Sequence, residues 1–328
     1  MHDTRQMTAG RLALTGAIAT VLGCGGGGGD DALPTGAPTT LERVADDGFS
    51  NAGAVAVSPD GETFYVSAYG EGNVPTIFTL DVAAQQLDVL HAGMPLLYPS
   101  DVATSCDGAT LFVADMGAQA GEYEIGASDT DGKAGIAGGL YTIGTDGGTL
   151  TKLEASGIAR AAGVVVSTSC DTLYVGGWTD MGTPAVFTVP TTGGGATVLH
   201  EGAPLVSPAG IHVDANDVAW VMDHGARGSD GEGSLFAIDA SGTAKPVLSG
   251  LGMGRIGGVS LVPGGVTAVI PASDGESKSF LLTANTETGA QQVVDAPELQ
   301  YPTGVAAAKN APVMAVATEN AIYSATFE

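Results

Sequence analysis

Carboxylates outnumber every other group in this chain that could bind a charge or move a proton. There are 36 Asp and Glu, against 11 Lys and Arg and 5 His. Many sit in short polar stretches between apolar runs. Asp115, Asp180, Asp223, His224 and Asp274 lie in such stretches, and Asp101 opens an apolar run. Together these six make a candidate acidic binding surface. Asp129, Asp131, Asp230 and Glu232 are the candidate oxygen ligands for a hard cation such as Ca²⁺, which takes several carboxylate and carbonyl oxygens. Asp129-Thr-Asp-Gly132 comes nearest to a calcium loop, but lacks its full spacing and terminal Glu. The bland alternative stays open: in a chain with only 14% charged residues, acidic loops keep the surface soluble. No cofactor is required by any motif. A Gly-x-Ser-x-Gly elbow, a His-Glu-x-x-His pair and a phosphate loop are all absent from the sequence.

The elements that must position these groups repeat. Six apolar runs start at Ala54, Asp101, Gly163, Gly210, Gly258 and Gly304, so consecutive starts lie 46 to 48 residues apart except for one interval of 62. The extra residues of the long second unit lie between Met116 and Gly139. A second run follows in each unit (Phe64-Tyr-Val66, Leu173-Tyr-Val175), then a third (Thr76–Leu80, Ala185–Val189) and a weaker fourth. Four strands per unit of this length is the signature of a propeller blade. The first runs are apolar almost throughout, as expected of strands packed on both faces. The sixth unit ends at its third strand, and an orphan strand, Thr40–Val44, precedes the first. That strand is expected to complete the last blade and latch the ring. The predicted fold is all-β: a six-bladed β-propeller of four antiparallel strands per blade over residues 41–328.

Residues 1–23 read as a lipoprotein signal peptide. Arg5 and Arg11 precede an apolar run from Leu12 to Gly23 that is too short for a stable membrane span. Val21-Leu22-Gly23-Cys24 resembles a bacterial lipobox, with Cys24 as the lipidated residue. Residues 24–40 form a Gly-rich tether opening with Gly25–Gly29. This implies export and lipid anchoring to the cell envelope, at the outer membrane, and no other contact with the bilayer. A net charge of −25 repels phosphate backbones, so nucleic acid is excluded as a partner.

Cys106 and Cys170 fall in the first turns of adjacent units two and three, in Ser105-Cys106-Asp107 and Ser169-Cys170-Asp171. They are either bridged, as an oxidising compartment permits, or two separate thiols. His212 lies in a first strand and reads as a buried residue near the axis. His91 and His200 recur in Val-Leu-His-x-Gly-x-Pro-Leu, which indicates a shared structural role at an outer strand.

Ser58-Pro-Asp-Gly61, Pro99-Ser-Asp-Val102, Val113-Ala-Asp115 and Tyr301-Pro-Thr-Gly304 resemble the repeats of the propeller superfamily that includes NHL-repeat proteins and the gluconolactonase, senescence-marker and strictosidine-synthase group. In the lactonase group, the resemblance implies a divalent metal at the channel mouth, held by Asn and Asp just before inner strands. Here those positions are Gly53, Ser100, Ala162, Ala209, Gly257 and Thr303, none of them an acid or Asn. The expected function is therefore a binding or scaffold module, whose acidic loop face takes an unidentified protein, glycan or small molecule. The alternative is a diverged metal-dependent hydrolase of the lactonase type.

Overall fold

A computed structural model describes residues 12–13, 36, 38–118, 136–225, 232–252, 258–262, 266–273, 278–296 and 298–327. Six sheets of four blade strands each are arranged in a ring, five of them in sequence order and the sixth completed by an N-terminal strand. The fold is a six-bladed β-propeller. The inner strands are Ser50–Val57, Pro99–Thr104, Ile158–Val166, Pro208–Val213, Ser260–Leu261 and Pro302–Ala307. Each pairs antiparallel with the second strand of its own blade.

The latch forms as expected. Pro38–Ala45 pairs antiparallel with Ala321–Phe327 and supplies the fourth strand of blade six. Leu41 and Val44 on this strand are buried, so the contact has an apolar side as well as a hydrogen-bonded edge. In the whole chain Leu12–Ala13 pairs along its outer margin. Two details differ from the sequence expectation. The latch strand is longer, and the long unit's second and third strands extend to Ala118 and back to Ile136, so they absorb part of the extra segment.

Between the blades lie six apolar clusters, one for each interface. Phe64, Phe187, Leu111, Leu140, Leu173 and Met222 are among their fully buried members. Apolar area removed from water is the dominant favourable term, at about 25 cal/mol per Å². Placing it between blades makes each blade depend on both neighbours.

Near the axis the inner strands crowd. A Cβ on Gly163 would sit 2.0 Å from the Ala209 carbonyl oxygen of blade four. A Cβ on Gly304 would sit 2.8 Å from the Ala54 Cα of blade one. Only glycine permits these approaches, which explains why glycine opens so many first strands. One face of the disc carries the connections between blades and the loops between second and third strands. The other carries the tight turns between first and second strands. They are called the connection face and the turn face below.

Candidate functional site

A central channel of about 810 Å³ runs between the inner strands, lined mainly by their small side chains and backbone. Each inner strand has one edge unpaired toward this channel. Near the connection face, the inner strands carry register shifts: between Ser50 and Ala54, Pro99 and Asp101, Ala161 and Gly163, Pro208 and Ile211, and Pro302 and Gly304. Gly53, Ser100, Ala162, Ala209 and Thr303 therefore sit in bulges inside the strands, not ahead of them. Bulges re-aim side chains at a sheet margin and often do so at binding sites.

The groups at these bulges do not suit a divalent metal. Ala162 and Ala209 carry no oxygen, and the Ser100 hydroxyl donates to the Ala161 carbonyl at 3.1 Å. The Thr303 hydroxyl is buried and has no partner among the described residues. Among the described residues, no three His, Cys, Asp or Glu side chains are placed to share a metal ion.

Asp101 is one of two strongly perturbed groups of the channel wall. One carboxylate oxygen accepts the Val102 N–H at 2.9 Å, and the other accepts the Val164 N–H of blade three at 2.9 Å. Burial pushes its carboxyl up to about 7, against the pull of those two N–H donors. The other is His212, on the blade-four inner strand. Burial pushes its imidazole down to about 4, so it is neutral at pH 7. Its place near the axis agrees with the sequence reading.

Asp115 and Asp223 do not contribute to an acidic surface. Both are 1% exposed. The Asp115 carboxylate accepts the N–H groups of Leu97, Tyr98 and Gly117 at 2.7–3.0 Å. Asp223 repeats the arrangement with Val206, Ser207 and Gly225 at 2.7–3.0 Å. Burial pushes both carboxyls up, while the three donors pull them down. Each ties the incoming connection of its blade to the end of the second strand. The same register place in blade six, opposite Pro302, is held by Thr318, just as Pro99 faces Asp115 and Pro208 faces Asp223. The carboxylate device is shared by blades two and four, whereas the Thr318 hydroxyl bonds the Ala321 backbone instead.

Asp180 is exposed on the connection face, beside Met181. His224 follows the buried Asp223, and its backbone N–H donates to Ser207. Asp129, Asp131, Asp230, Asp274 and Cys24 lie outside the described residues. Glu232 begins the third strand of blade four, opposite Gly252. His91 and His200 lie in outer strands, and His200 Nδ1 is 2.9 Å from the Gly242 carbonyl of blade four.

The structure joins Cys106 and Cys170 in a disulfide, with Cα atoms 5.7 Å apart. The two turns are not in the register that their sequences suggest. Ser167, not Ser169, matches Ser105, since each closes its turn through the N–H three residues on. Cys170 thus occupies the left-handed place that Gly108 holds in the preceding blade, with φ of 69°.

Sequence reasoning missed the apolar character of the connection face. Met94, Met181, Val206 and Tyr301 are 70%, 89%, 44% and 60% exposed there. Three of them belong to blade-to-blade connections, and Met181 to the loop after a second strand. Single Met and Tyr residues in loops carry no periodicity, so only the ring shows that they share a face.

No family model matches this chain, and no curated protein matches it. Solved structures do. A gluconolactonase from Xanthomonas campestris has a TM-score of 0.66 at 10% identity, over 98% of this chain and 99% of the other. A chain of a nidogen–laminin complex has a TM-score of 0.60 at 15% identity, over 80% and 86%. TolB from Acinetobacter baumannii has a TM-score of 0.55 at 12% identity, over 75% of this chain and 55% of the other. The likeness is one of fold. At these identities a shared propeller says nothing about shared chemistry.

Proposed function

We propose that this protein is an envelope-anchored binding module, tethered through lipid on Cys24, that docks a partner on the connection face of its propeller. The observation that carries the reading is the set Met94, Met181, Val206 and Tyr301, large apolar side chains held in water on one face. Apolar patches mark interaction sites on otherwise soluble surfaces, and these four side chains, from separate connections and loops, share one face of the disc. Aromatic residues and Met are enriched at interface cores. Asp180 beside Met181 supplies a polar margin.

The latch supports the orientation. Pro38 pairs with Phe327, whose N–H donates to Pro312 at the turn face. The chain therefore reaches the disc from the turn-face side. Thirteen residues lie between Cys24 and Pro38, a reach of at most about 50 Å. An anchor at Cys24 therefore joins the disc on its turn-face side and leaves the connection face uncovered by the tether's attachment. The partner is a protein, a glycan or a small molecule with an apolar surface.

The hydrolase alternative finds less support. Its fold neighbour is a gluconolactonase, but Ala162 and Ala209 leave the expected ligand positions without oxygen. The carboxylates Asp129, Asp131, Asp230 and Glu232 remain candidates for Ca²⁺ in a supporting role.

A photoreactive residue replacing Met181 or Tyr301 tests the reading in intact envelopes. Discrete adducts are expected from these positions and not from Val266 on the turn face. Adducts from Val266 alone overturn it. Cys24→Ala is expected to release the protein from the membrane fraction.

A further inference from the structure

Three blades meet at the turn-face mouth of the channel. Cys106 comes from blade two, Cys170 from blade three, and Lys309 from the first turn of blade six. Lys309 Nζ lies 2.9 Å from Cys106 Sγ. Among the described residues Lys309 makes no ion pair, and the carboxylates that follow the two cysteines bond hydroxyls of their own turns. Asp107 accepts the Ser105 hydroxyl at 2.6 Å, and Asp171 accepts the Ser169 and Thr172 hydroxyls. The two sulfurs are therefore unlike. Cys106 is half-buried, packed against the cluster between blades two and three, and faces an ammonium. Cys170 is exposed, on a turn in the left-handed conformation.

We propose that the Cys106–Cys170 disulfide is a thiol-exchange site, with Cys170 Sγ as the atom attacked and Cys106 as the leaving thiolate held by Lys309. An external thiolate approaches Cys170 Sγ along the S–S axis from solvent. A bond forms between the incoming sulfur and Cys170 as the bond to Cys106 breaks. The electron pair passes to Cys106 Sγ, and the resulting thiolate meets the Lys309 ammonium. A second thiolate then attacks the mixed disulfide. Cys170 leaves reduced, and two external thiols have become one disulfide. Two electrons have entered the protein.

Exchange is faster for the more accessible sulfur and for the leaving group of lower pKa. A neighbouring lysine lowers a thiol pKa. Lys309 thus directs the reaction without touching the incoming thiol, as a positioning residue. Desolvation lowers the Lys309 pKa as well, which makes its proton easier to pass to the departing sulfur. The ligand class is a small thiol or a partner's exposed cysteine. The site lies on the turn face, away from the apolar residues of the connection face, so it stands independently of the docking role.

The test uses the full chain carrying Cys24→Ala, so that the third cysteine takes no part. The folded protein is exposed to reduced glutathione, quenched with acid, alkylated and mapped. Glutathione is expected on Cys170 with Cys106 alkylated. Lys309→Met is expected to slow the first step by about 3- to 10-fold, and Lys309→Arg to restore it. Adducts on Cys106, equal rates in wild type and Lys309→Met, or a bond inert to glutathione until the protein melts, each overturn the proposal. The mapping is done on the wild-type turn sequence, so it decides even where a Lys309 variant folds poorly.

Discussion

The Asp101 carboxylate of blade two receives the Val164 N–H of blade three at 2.9 Å, across the edge of the channel. An inner strand has no sheet neighbour on its channel side, so its backbone donors need other acceptors. Asp101 supplies one while also accepting the Val102 N–H next to it. Asp101, one of the six candidates for an acidic binding surface, is thus a bond between blades.

This geometry has a pH signature. Asp101 is pushed up to about 7 and His212 down to about 4, from ordinary values of 3.8 and 6.5. The folded protein keeps the Asp101 proton where the unfolded chain has lost it. Its contribution is therefore full below about pH 4 and is lost as pH rises through 7. For His212 the unfolded chain binds the proton first, so its contribution is full above 6.5 and is lost as pH falls toward 4. Relative to wild type, Asp101→Asn is expected to gain stability with rising pH between 4 and 7. His212→Gln is expected to lose it with rising pH between 4 and 6.5. Each slope approaches about 1.4 kcal/mol per pH unit. Urea melts of the three proteins at pH 4.5, 5.5 and 6.5 check both signs, and parallel curves contradict them.

Asp223→Ala leaves the Val206 and Ser207 N–H groups of the connection, and the Gly225 N–H after the second strand, without their acceptor. The expected cost is roughly 3–5 kcal/mol, or a fall in Tm of roughly 5–10 °C. Asp115→Ala is expected to match it. Asp180→Ala, at an exposed loop, is expected to change Tm by less than about 1 °C. Thermal melts followed by circular dichroism separate the buried pair from the surface residue.

The latch makes a second stability prediction. Leu41→Asp puts a charge into the apolar side of the closing strand, and removal of residues 38–45 bares the edge of Ala321–Phe327. An open apolar edge invites pairing between chains. The truncated protein is expected to aggregate, and Leu41→Asp to melt well below wild type. A truncated chain that stays monomeric by light scattering with an unchanged Tm argues against closure through this strand.

For chemistry, the expectation is negative and specific. With Ala162 and Ala209 at the channel mouth, hydrolysis of a sugar δ-lactone is expected at the uncatalysed rate, with or without added Zn²⁺, Mn²⁺ or Ca²⁺. A chelator-sensitive rate above that background revives the hydrolase reading.

Much of this architecture was legible in the residues, because a repeated apolar pattern encodes local strands and repetition encodes the ring. The unpaired strand at Thr40–Val44 and the missing strand after Phe327 define one another. The crowding glycines, such as Gly163 and Gly304, follow from the same repetition. The site was less legible. Asp115 and Asp180 look alike in sequence, each an acid in a polar stretch after an apolar run. Burial separates them: one is enclosed by Leu97, Tyr98 and Gly117, and the other extends into water beside Met181. The Lys309–Cys106 contact joins residues 203 positions apart, and no spacing rule connects them. Both cysteines lie in first turns as expected, but Ser169-Cys170-Asp171 imitates Ser105-Cys106-Asp107 in sequence while the hydrogen bonds of its turn start from Ser167.

The most direct test compares the two faces in one binding assay. Purified protein is immobilised through position 24 and challenged with detergent-solubilised envelope and with the soluble fraction. Retained material is then quantified for wild type, for Met94→Lys/Met181→Lys/Tyr301→Lys, and for Val266→Lys. A species is expected to be retained by wild type and Val266→Lys but lost, by at least about tenfold, from the triple variant, as for removal of a central apolar anchor. Equal retention by the triple variant, or loss confined to Val266→Lys, contradicts it.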